Sequence, residues 1–157
     1  MNRRAFILCA AALPLALAGG SVAAATRPKA VVHTDPSCGC CGNWIAHLRE
    51  AGFPVEVRQT GTINRVKARL GVPDDLASCH TAQIGGYVVE GHVPAEMIDR
   101  LLSERPDAIG LSVPGMPSGS PGMEIPDIEP DEYEVVLFGP SGRRVFAKYV
   151  GDRRVTS

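Results

Sequence analysis

Residues 29–34, Lys-Ala-Val-Val-His-Thr, form a short β-rich run that Asp35-Pro36-Ser37 breaks. Over 43–51 the period changes: Trp44, Ile45, Leu48 and Ala51 share one helical face, and Gly52 with Pro54 supplies the stop. Residues 53–60 return to alternation, with Val55 and Val57 on one side. Thr62 then stands where a cap is needed for a helix whose Ile63, Val66 and Leu70 share a face before Gly71 and Pro73. Residues 84–89, Ile-Gly-Gly-Tyr-Val-Val, predict a third strand turning at Glu90-Gly91-His92. Pro94 opens a helix that turns Met97, Ile98, Leu101 and Leu102 inward. Residues 110–126 hold four glycines and four prolines, so this stretch predicts a loop. Finally, 133–138 and 143–150 flank Gly139-Pro140-Ser141-Gly142, a hairpin signal. The order predicts an α/β fold, a mixed sheet with flanking helices and a C-terminal β-hairpin. Cys38 to Cys41 lie between the first strand and the first helix, and a strand running into a cysteine motif at a helix start is the thioredoxin-like arrangement.

The 157 residues are 45% hydrophobic and 21% charged, a composition for one globular domain. Arg3 and Arg4 precede an apolar run over 5–18, with no acid before Ala25, so residues 1–25 read as a cleaved export signal. Cleavage is expected after Ala23 or Ala25, by the general or the twin-arginine route. The run falls short of the roughly 20 apolar residues a membrane span needs. A periplasmic domain over 26–157 is therefore expected, with no span after cleavage. Loss of Arg3 and Arg4 from the 16 basic residues leaves 14 against 17 acidic ones, which excludes a basic nucleic-acid footprint.

Cys9 departs with the leader, leaving Cys38, Cys40, Cys41 and Cys79. An even count in an oxidising compartment ordinarily means disulfides. The order Cys38-Gly39-Cys40-Cys41, however, sets a third thiol inside a C-x-x-C spacing. At the first turn of a helix, Cys40 and Cys41 gain thiolate character from the positive N-terminal field, which favours both metal binding and disulfide exchange. The extra thiol favours metal, because a dithiol couple needs only two sulfurs. Soft thiolates select Cu(I), zinc or an iron-sulfur cluster. Copper ranks first; zinc, with Cys79-His80 closing a tetrahedron, is the runner-up; the spacing matches no common cluster motif. Met116 and Met123 lie in the Gly/Pro-rich loop, where thioethers either suit Cu(I) or fold the loop onto apolar surface. Met97, on a helical face, reads as core. His47 reads as a solvated surface residue, His33 and His92 as hydrogen-bonded scaffold, and His80 stands even between scaffold and ligand. No Ser/His/Asp or paired-carboxylate arrangement stands out.

Four ordered blocks carry a resemblance: Cys-Gly-Cys-Cys-Gly at 38–42, Ser-Cys-His-Thr-Ala at 78–82, Gly-Tyr-Val-Val-Glu-Gly-His-Val-Pro at 86–94, and Gly-Leu-Ser-Val-Pro-Gly-Met-Pro at 110–117. Over about 30–150 the chain resembles the exported CopG-type proteins found with copper-resistance systems, long grouped as a domain of unknown function. The resemblance implies a thioredoxin-like periplasmic protein that binds copper, as Cu(I) and in one or more ions, through Cys38, Cys40, Cys41 and the distal Cys79. Met116 matches the loop methionine, and Met123 is carried with it. It also implies other periplasmic copper-handling proteins as partners and a copper-coupled redox activity. Ordinary thioredoxins carry a cis-proline before the third strand, whereas residues 81–86 contain no proline. A thiol-disulfide oxidoreductase using Cys38 and Cys41 is the alternative, and a small exported domain with two structural disulfides is the third reading.

Overall fold

The computed structural model describes residues 27–155; the expected leader and cleavage site lie outside them. The strands are β1 (Ala30–Thr34), β2 (Val55–Gln59), β3 (His80–Ile84), β4 (Tyr87–Glu90), β5 (Gly110–Ser112), β6 (Glu132–Gly139), β7 (Gly142–Val150) and β8 (Arg153–Val155). The helices are α1 (Cys41–Glu50), α2 (Ile63–Leu70) and α3 (Ala95–Glu104), with one 3₁₀ turn at Asp74–Leu76. All eight strands join one mixed sheet in the order β2-β1-β3-β4-β5-β6-β7-β8. β1 pairs parallel with β2, and β4 parallel with β5; the other neighbours are antiparallel. The α/β class and the C-terminal hairpin expected from the pattern are present.

Three local expectations need correction. The third strand is two strands: Gly85 (φ +58°) and Gly86 (φ +93°) form the two-residue turn between β3 and β4. Positive φ at both turn residues matches the right-handed twist of the flanking strands, so the Gly-Gly pair is a hairpin signal rather than a strand interior. The glycine- and proline-rich stretch is not all loop, since Gly110–Ser112 is β5, pairing with both β4 and β6. Thr62 precedes α2 without a side-chain cap bond; its hydroxyl is 3.0 Å from that of Thr60. α2 ends instead on Gly71, at φ +77°, in the left-handed conformation that glycine adopts readily.

One cluster of buried apolar residues runs beneath α1 and α3, including Trp44, Leu48, Ile84, Ile98, Leu101, Leu111 and Val135. Met97 belongs to it, as its helical face predicts. The Trp44 indole donates to the Val93 carbonyl at 2.9 Å, fixing α1 against the segment leading into α3. A smaller cluster of Val72, Leu76, Val88 and Phe138 packs separately.

Candidate metal centre

β1 ends at Thr34, and an Asx turn follows in which Asp35 Oδ1 accepts from the Ser37 amide at 2.9 Å. Cys38 N–H donates to the Asp35 carbonyl at 3.0 Å, and Cys40 is the N-cap residue of α1. Cys40 makes no side-chain cap bond, so its sulfur is free to face the cluster. The other half of the site arrives through the sheet. Thr34 lies opposite His80 in the antiparallel β1–β3 ladder, so Cys79, just ahead of β3, leaves the ladder at the same end as the cysteine motif.

The sulfurs of Cys38, Cys40, Cys41 and Cys79 all lie within 4.8 Å of one another, a group that could hold a metal ion. Cys40 Sγ stands 3.7 Å from Cys38 Sγ and 3.6 Å from Cys79 Sγ. Cys38 and Cys41 are joined as a disulfide, while Cys40 and Cys79 are free thiols. In this oxidation state two sulfurs can give up a proton to a metal; two electrons delivered to the disulfide make it four. Met116 Sδ comes within 3.9 Å of Cys40 Sγ, and its side chain is exposed. Its loop is tied to the Cys79 segment twice, by Gly115 N–H to the Ala77 carbonyl at 3.1 Å and by the Ser78 hydroxyl to the Gly115 carbonyl. Met123 is half-buried further along that loop, its N–H donating to the Ser120 carbonyl at 2.7 Å.

A second group meets at Cys79. Its sulfur is 3.1 Å from His80 Nδ1 and 3.2 Å from His92 Nε2. Both imidazoles are fully buried, and the His80 ring lies 4.3 Å from Trp44 and 5.0 Å from His92 between centroids. Behind Cys79, Glu90 accepts from the Ser78 amide at 2.7 Å, the Thr81 hydroxyl at 2.6 Å and Lys67 Nζ at 2.5 Å. Burial pushes the Cys79 thiol up to about 12, with Cys40 adding to the shift. Burial holds His80 well below the ordinary imidazole value and lowers His92 as well. It pushes the Glu90 carboxyl up, against the pull of Lys67 and the three hydrogen bonds.

Two solved structures of copper resistance protein CopG, labelled Form 2 and Form 1, share this fold. Form 2 is 49% identical, with 78% of this chain and 98% of that chain covered at a TM-score of 0.74. The chain belongs to the CopG family. Form 1 gives the same identity and TM-score over 80% of this chain and 99% of the other. Residues 76–123 match the family described as "Protein of unknown function, DUF411", a span that holds Cys79, His80, His92, Met116 and Met123. No curated protein matches the chain. The family is the one the four sequence blocks led us to expect.

Against this CopG framework, sequence reasoning placed one histidine wrongly. His47 is half-buried rather than solvated, because its Nε2 accepts the Ala95 amide at 3.0 Å and so caps the start of α3. His92, read as scaffold, stands beside Cys79 as close as His80 does. Glu90 and Lys67 were passed over; the signal available was a glutamate at the buried end of an otherwise apolar strand, Tyr-Val-Val-Glu, where a charge needs a partner. Among the described residues, no helix is long and apolar enough to cross a membrane.

Proposed function

We propose that this protein is a periplasmic copper carrier or store of copper resistance that holds Cu(I) through Cys38, Cys40, Cys41 and Cys79, with Met116 as an auxiliary thioether ligand and Met123, further along the same loop, as a second. The carrying observation is that four cysteine sulfurs lie within 4.8 Å of one another in a member of a family named for copper resistance. Soft thiolate and thioether donors favour Cu(I) over hard cations, and thiolates bridge readily between two or more ions. Zinc is the competitor such a thiolate set admits. The sheet order β2-β1-β3-β4, with the motif between β1 and α1, supports a thioredoxin-like domain over 26–157, and the leader over 1–25 supports delivery to the periplasm, where other copper-handling proteins would exchange the ion.

The test is an anaerobic titration of the reduced chain with Cu(I) against a competing chelator, counting free thiols in the same sample. Tight uptake that protects four thiols is the expected result. Unchanged affinity after replacing Cys38, Cys40 and Cys41 by Ser would sink the proposal.

The Cys38–Cys41 disulfide favours a second reading, a copper-coupled oxidoreductase. Closing that disulfide from two thiols releases two protons and two electrons, enough to reduce two Cu(II) to two Cu(I). Stoichiometric loss of two thiols per two Cu(II) reduced, with turnover in the presence of a dithiol reductant, is the measurement that supports it. A metal-independent disulfide reductase activity would instead favour ordinary thiol-disulfide exchange.

A further inference from the structure

The group Cys79, His80 and His92 has a chemistry of its own. The Pro121 carbonyl lies 2.9 Å from His92 Nδ1 and can only accept, so Nδ1 carries the proton and the Nε2 lone pair faces Cys79 Sγ. A backbone carbonyl fixing one ring nitrogen while the other is presented is how metal-binding histidines are oriented. His80 Nδ1 faces the same sulfur, and its Nε2 is buried with no hydrogen-bond partner among the described residues. Neither Cys38 nor Cys41 takes part. Cys40 Sγ, 3.6 Å from Cys79 Sγ, belongs to the four-cysteine group and not to this one.

We infer that Cys79, His80 and His92 form a three-ligand subsite for a divalent ion of the zinc type that stays competent while Cys38 and Cys41 are disulfide-bonded. One thiolate and two imidazoles are three protein donors of the kind zinc takes, with its fourth tetrahedral position left to water. Metal–sulfur and metal–nitrogen bonds of about 2.3 and 2.0 Å set N···S near 3.5 Å at a tetrahedral angle. The observed 3.1 and 3.2 Å contacts therefore open by a few tenths of an ångström on binding. The Cys79 thiol gives up one proton to solvent as the ion enters, and no electron moves. The inference rests on the metal-binding reading of this end of the sheet but not on Cu(I).

The test uses the full mature chain, oxidised until only two thiols remain titratable, with Co(II) as an anaerobic spectroscopic probe and Zn(II) as competitor. Uptake of one equivalent is expected, with tetrahedral d–d bands, sulfur-to-cobalt charge transfer and protection of Cys79 from alkylation. X-ray absorption should give a mixed nitrogen and sulfur shell, a readout that needs no variant. In a His92→Gln chain with the parent's circular dichroism, affinity should fall by about tenfold or more, the range seen when metal-site residues are altered. Co(II) uptake only after the disulfide is reduced overturns the inference, as does a shell without nitrogen or a His92→Gln affinity equal to the parent's. The Cu(I) titration of the reduced parent runs alongside: Cu(I) uptake with no Co(II) uptake by the oxidised chain rejects the subsite alone, and the reverse rejects the copper reading alone.

Discussion

Lys67 Nζ lies 2.5 Å from Glu90 Oε1 where neither side chain is open to solvent. The same carboxylate holds the amide of Ser78, one residue ahead of Cys79, so the pair fastens α2 to the segment that carries the distal cysteine. Removing one partner of a buried pair leaves the other without compensation. Lys67→Met is expected to cost about 3–5 kcal/mol of stability, and the double variant Lys67→Met/Glu90→Gln to regain much of it. Urea unfolding at neutral pH measures both; a loss below about 1 kcal/mol for the single variant would place the pair among weak surface bridges.

Cys79 offers a direct chemical readout. Its thiol is pushed up to about 12 by burial and by Cys40, and only the thiolate is alkylated. In the metal-free chain, its reaction with iodoacetamide should accelerate by about tenfold for each pH unit between 7 and 10. Peptide mapping after timed quenching follows the site, and a plateau near pH 9 would contradict the assignment. Because metal must displace that proton, uptake at this end of the sheet should release protons and tighten as pH rises.

The histidines predict how the fold responds to acid. His47, His80 and His92 are each lowered from 6.5 by burial, so the unfolded chain takes up protons before the folded one does. Their contribution to stability is complete above 6.5 and is lost as pH falls from there through the lower folded values. The slope is about 1.4 kcal/mol per pH unit for each such proton. Urea midpoints between pH 7.5 and 4.5 should decline, and a His47→Gln chain should decline less steeply.

Two loop positions separate packing from ligation. Gly122 has φ +84°, and a Cβ there would stand 2.6 Å from the Trp44 backbone nitrogen. Gly122→Ala should therefore destabilise the protein by about 1–3 kcal/mol through conformation and contact together, seen as a lower melting temperature. Met116→Leu keeps the volume and removes the sulfur beside Cys40, so stability should hold while Cu(I) affinity falls by about tenfold, or 1.4 kcal/mol. Chelator competition decides it; equal affinity would leave Met116 as loop packing.

The α/β order and the helix opening at Cys41 were legible because apolar periodicity and glycine or proline stops coincide there. β3 was not, since His80 and Thr81 are polar residues buried for the sake of the site, and burial of polar groups runs against the pattern on which strand recognition depends. The four cysteines could be read directly, being the most chemically specific letters in the chain. The position of His92 could not, because its tautomer is set by Pro121, 29 positions away, through a loop whose path the sequence does not disclose. His47 misled for a similar reason: its partner is the Ala95 amide, 48 positions on.

Cys40 and Cys79 are 39 positions apart in sequence, and only the pairing of β1 with β3 brings them together. An extended chain keeps three sulfurs as neighbours and strands the fourth, so a full complement of ligands certifies that the ladder has formed. An ion held by all of them binds the native state alone and draws the folding equilibrium towards it. Cleavage anywhere between residues 42 and 78 would spare every ligand yet remove the covalent tether between the two halves of the site, making metal retention a gauge of chain integrity.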